Sequence, residues 1–118
     1  MQSDIELAVT GLGGDRRAML AIKVPHACTV EDRSSTGYGL VIRNSSSENN
    51  EDISAKLESF LKPLLPIADI VKGHGSIVRV AVYSSLATTT ATFSLSCINL
   101  LQELDAKLEV SVYPLDQE

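Results

Sequence analysis

The sequence predicts an α+β fold: a four- to five-stranded antiparallel or mixed sheet with two main helices packed on one face. Three observations predict it. Segments near both ends alternate apolar and polar residues with a period of two, the signature of half-buried strands. Two segments between them repeat apolar residues at helical spacing. Strand–helix–strand order occurs in both halves, which suggests helices lying on one sheet. Because the first and last strands each carry a polar face, the other side of the sheet is expected to be partly wet, and this favours antiparallel pairing.

Residues 4–10 open the order as a strand, with Ile5, Leu7 and Val9 on one side and Asp4, Glu6 and Thr10 on the other. The glycines at 11, 13 and 14 end it. Residues 19–24 fit either a short helix begun at Asp15 or a strand carrying Leu20, Ile22 and Val24. The β-branched residues and Pro25 favour the strand. Residues 26–37 read as a polar loop, and 38–43 as a short strand containing Leu40 and Ile42. Residues 45–50 are loop-like, and Asn50 or Asp52 can cap the helix that follows. Ile53, Leu57, Phe60, Leu61 and Leu64 form its apolar stripe. Pro66 suits the first position of a second short helix, which buries Ile67, Ile70 and Val71 and ends at Gly73.

Residues 76–83 form the strongest strand. Val78, Val80 and Val82 share one face, and Ile77, Ala81 and Tyr83 share the other with Arg79, which predicts a central strand. A Ser/Thr loop at 84–90 and a short extended piece at 92–95 lead to a helix over 96–105, capped by Ser94 or Ser96. Its inner face is Cys97, Ile98, Leu101 and Leu104. Leu108, Val110 and Val112 alternate with Lys107, Glu109 and Ser111 in a last amphipathic strand that Pro114 ends.

The 118 residues suit a single domain over 1–118, and 44% hydrophobic residues suffice for one core. A net charge of −5 disfavours sequence-independent binding to nucleic acid, which needs Lys and Arg to replace phosphate counterions. It equally disfavours an anionic membrane surface. The first residues, MQSDIELAVTG, show no basic stretch followed by an apolar run, so a cytoplasmic location is expected, with Cys28 and Cys97 as reduced thiols.

No motif carries strong chemistry. The run from Gly11 to Asp15 resembles the start of a nucleotide loop, but Arg16 and Arg17 stand where a third glycine belongs, and it reads as a flexible turn. His26, Cys28, His74 and Cys97 have the right chemistry for zinc but no ligand spacing, so no metal and no cofactor are expected. Cys28 with a nearby histidine is the best nucleophile–base pair, yet no local motif supports it, and the chain is not expected to be an enzyme. One feature points to a partner. Glu31, Asp32, Glu48, Glu51 and Asp52 gather in or beside the two longest loops. Negative charge there steers a basic partner, although solubility explains it equally well.

The string from Ile53 to Ser85 joins an amphipathic helix, a proline-marked helical piece and a strand. TFSLSCINLLQELDAKLEVSVYP then adds a helix, a Leu-Asp-Ala turn and an amphipathic strand closed by Tyr113. Together these resemble a widespread family of small bacterial domains of unknown function, over residues 52–114. Such domains are similar to the small acidic cytosolic proteins that act as immunity factors beside bacterial toxins. The resemblance implies a non-enzymatic protein that binds a cognate toxin and occludes its active site, the five acidic residues above pairing with the toxin's Lys or Arg. A homodimer is compatible with this reading. The alternative is a small, dimeric regulatory module in which Gly11, Gly13, Gly14, Arg16 and Arg17 hold an anionic metabolite.

Overall fold

The computed structural model describes residues 2–33, 39–44, 52–84 and 90–114. Five strands form one mixed sheet, β1 (Gln2–Val9), β2 (Cys28–Arg33), β3 (Gly39–Asn44), β4 (Ile77–Ser84) and β5 (Lys107–Pro114), in the order β2-β3-β1-β4-β5. Four helices accompany them: α1 (Gly14–Lys23), α2 (Ile53–Leu61), α3 (Ala68–Val71) and α4 (Leu95–Glu103). A 3₁₀ stretch, Lys62–Ile67, joins α2 to α3. The predicted fold class is the one found.

All pairings are antiparallel except β4–β5, which is parallel. Parallel neighbours need a crossover, and α4 supplies it. β1 occupies the middle of the sheet, so β4 is interior but not central as its pattern suggested. Its buried and half-buried positions alternate because the helix layer covers Val78, Val80 and Val82 on one face and leaves the other face partly open.

Three local expectations are corrected. Residues 19–24 belong mostly to α1. The helix starts from Gly13 and ends at Val24, whose amide donates to the Leu20 carbonyl ahead of Pro25. Leu20 is its one buried side chain, so a single core contact overrode the β-branched preference. The expected loop over 26–37 contains β2, which was concealed because it is an edge strand exposed on both faces and so shows no hydrophobic period. The second helical piece starts as 3₁₀ turns with Pro66 inside them, and α3 begins only at Ala68. The readings for residues 45–51 and 85–89, and for Tyr38, lie outside the described residues.

The core lies between the sheet and the helices. Leu7, Val9, Ile42, Val78, Val80 and Val82 project from the sheet, and Leu57, Phe60, Leu61, Leu64, Ile67 and Val71 meet them. The predicted α2 stripe is buried at all five positions. α4 buries Cys97 and Leu101, and Leu104 just past its end is also buried, but Ile98 is half exposed. Beyond it the helix layer stops short. Leu108, Val110 and Val112 of β5 remain 36%, 41% and 55% exposed, where alternation alone predicted a buried face.

Two polar anchors fix the helix ends. Asp52 caps α2, its carboxylate accepting from the Ala55 amide at 3.3 Å. Asp52→Ala is expected to cost about 1 kcal/mol, read from the denaturation midpoint. Ser94 caps α4, with its hydroxyl accepting from the Cys97 amide at 3.3 Å. Buried Ser54 accepts from the Ser94 amide at 2.9 Å and so ties α4 to α2.

Candidate functional site

The residues that sequence reasoning singled out are mostly held by intramolecular partners. Glu31 and Asp32 are successive residues of β2, so the pleat sends them to opposite faces of the sheet. Asp32 accepts from Arg17 Nη1 of α1 at 2.7 Å. Glu31 accepts from Arg33 Nη2 at 3.0 Å. The Arg33 hydrogen bond, and then its charge, hold the Glu31 carboxyl below the usual glutamate range. A lowered carboxylate stabilises the fold above its unfolded value, and that contribution is lost as pH falls through the folded one. Both carboxylates remain largely in water, with 57% and 53% of their side chains exposed. Asp52 serves the α2 cap. Glu48 and Glu51 lie outside the described residues.

The glycine–arginine turn is likewise spent on the fold. Gly13 is the α1 N-cap residue. Arg16 Nη1 donates to the Ile70 carbonyl at 3.1 Å, and Arg17 Nε donates to the Leu12 carbonyl at 3.1 Å. Both guanidinium groups thus bind backbone oxygens, an arrangement that ties α1 to α3 and to the turn that precedes α1.

The histidines and cysteines do not converge. Among the described residues, no group of three or more His, Cys, Asp or Glu side chains is placed to hold a metal ion. Cys28 Sγ donates to Asn44 Oδ1 at 3.4 Å, and burial pushes its thiol up. That shift is opposite to the one that activates a nucleophilic cysteine. Cys97 Sγ is buried and donates to the Ser54 carbonyl at 3.1 Å.

The wet face of the sheet carries a constellation that local patterns missed. The register sets Arg43, Glu6, Arg79 and Glu109 side by side across four strands. Arg43 Nε and Nη2 both donate to Glu6 Oε2, at 3.0 and 2.9 Å. Arg79 Nε lies 3.5 Å from Glu109 Oε1. The result is a ladder of alternating charge, which avoids like charges on neighbouring strands. The ladder crosses a shallow depression of about 540 Å³ that Asp4, Arg33, Ser111 and Tyr113 also line. At one end Tyr83 stacks on Tyr113 with ring centroids 5.6 Å apart. Partial desolvation, and then the Asp4 carboxylate, raise the Tyr83 phenol above its usual range. Each strand advertises its own charge, but the row exists only once the register is known.

No described helix is long and apolar enough to cross a membrane. Compared with known proteins, the chain matches no family model, no curated protein and no solved structure.

Proposed function

We propose that this chain is a non-enzymatic, immunity-type protein that binds and neutralises a cognate bacterial toxin in the cytoplasm. The observation that supports this reading is the acidic edge strand. In β2, Thr29, Val30, Glu31 and Asp32 are exposed in succession, so both sides of the strand are open to a partner. Their carboxylates are already aimed at guanidinium groups, those of Arg33 and Arg17. Exposed pairs of this kind contribute little, because water screens them. Exchanging them for a toxin's Lys or Arg therefore costs little, and the negative edge speeds the encounter.

The test is affinity capture of the tagged protein from its host across a salt series, with partners identified by mass spectrometry. One stoichiometric, basic protein, lost more readily as salt rises, is the expected result. With that partner in hand, the double variant Glu31→Ala/Asp32→Ala is expected to slow association roughly tenfold at low salt. The denaturation midpoint should stay close to that of the parent. Unchanged association and unchanged salt dependence would remove the acidic edge from the interface. Capture that returns only the protein itself would overturn the reading.

A further inference from the structure

We propose that β5 is the self-association edge of this protein, pairing antiparallel with β5 of a second copy about a twofold axis through Val110. Among the described residues, no strand pairs with the outer edge of β5. Such an edge offers a row of backbone donors and acceptors to another chain. The edge also lacks the usual protection. Its charged residues, Lys107 and Glu109, point to the wet face, whereas Leu108, Val110 and Val112 stand exposed on the helix side.

The sequence of the strand specifies how a copy fits. Antiparallel partners directly opposite one another point to the same face, and a slip of one residue exchanges the faces. Only registers whose partner numbers add to an even sum set apolar against apolar and put both helix layers on one side. Centring on Val110 uses seven of the eight residues. It places Leu108 opposite Val112 of the second copy, Glu109 opposite Ser111, and Lys107 opposite Tyr113. Centring on Glu109 would set two carboxylates face to face, which is destabilising. In this register the strand is complementary to itself in hydrogen bonding and apolar pattern, and it sets no like charges opposite one another.

A stable dimer needs more than a strand edge. A specific dimer covers about 800 Å² on each copy. The preceding helix, α4, exposes Leu95 and Ile98, at 77% and 49%. Leu95 and Ile98 add exposed apolar surface to that of Leu108, Val110 and Val112. The opposite edge is a poorer candidate, because β2 exposes Glu31 and Asp32 where β5 exposes an apolar row.

The test is the mass of the full chain in solution by light scattering over a concentration series, with two variants. The parent is expected at twice the 12.7 kDa chain mass. Val112→Lys, at an exposed position, is expected to return the mass to that of one chain with an unchanged circular dichroism spectrum. In a Cys28→Ser background, Val110→Cys is expected to trap a covalent dimer under mild oxidation, while Leu108→Cys does not. A parent that stays monomeric at every concentration overturns the proposal. So does a dimer that is neither dissociated by Val112→Lys nor trapped by Val110→Cys, because that dimer uses another surface. If Val112→Lys fails to fold, the two cysteine variants decide alone.

Discussion

Gly39→Ala is expected to destabilise the protein by about 3 kcal/mol, through the backbone alone. Gly39 opens β3 with φ at +72°, in the left-handed region. A Cβ atom there would stand 2.2 Å from the Val9 carbonyl oxygen and 2.9 Å from its carbon. Neither atom is the far end of a flexible side chain, so relief requires moving a strand. The left-handed conformation costs a non-glycine residue roughly 1–2 kcal/mol. Overpacking adds about 1–3 kcal/mol. Moving β3 away from β1 would also weaken the pairing of Leu7 with Ile42 and of Val9 with Leu40. Urea denaturation measures the effect as a lower midpoint with an unchanged slope. Gly14→Ala is the control: nothing lies within 4 Å of its Cβ position, and it is the first residue of α1. A gain of about 0.5 kcal/mol is expected there. A Gly39→Ala variant as stable as the parent would contradict the close approach of β3 to Val9.

Phe60→Ala is expected to cost about 3–5 kcal/mol, the largest effect of any single side chain. Phe60 is 1% exposed and is the largest of the fully buried side chains. It lies on the α2 stripe that faces the sheet. Truncation removes its apolar contacts and leaves a cavity that a close-packed interior cannot fully collapse. Against a total of about 5–15 kcal/mol for a domain, the loss is a large fraction of the whole. Phe60→Leu keeps most of the volume and is expected to cost less than half as much. A Phe60→Ala loss below about 1 kcal/mol would mean that α2 does not pack on the sheet as described.

These two sites differ in how well the sequence shows them. Phe60 stands in a helical stripe with Ile53, Leu57, Leu61 and Leu64, all five buried, and the period alone identifies its inward face. Gly39 stands at the start of β3, and nothing local reveals that Val9, thirty positions earlier, closes over it. The acidic residues were equally visible, yet their neighbours were not. Asp32 holds an arginine of α1, and Asp52 holds a helix end. The charge ladder from Arg43 to Glu109 was illegible because it depends on the register of four strands drawn from both halves of the chain.

The sequence by itself determined the fold class, the inward faces of α2 and β4, and the overall negative charge. These follow from periodicity and composition, which act over a few residues at a time. Tertiary structure decided the rest. It made residues 19–23 helical by packing Leu20 into the core, and it drew an edge strand from a segment with no hydrophobic period. It put β1 rather than β4 at the centre of the sheet. Above all it left the apolar row of β5 uncovered. Alternation says that a strand has an apolar face; only the placement of the helix layer decides whether anything in the same chain lies over it.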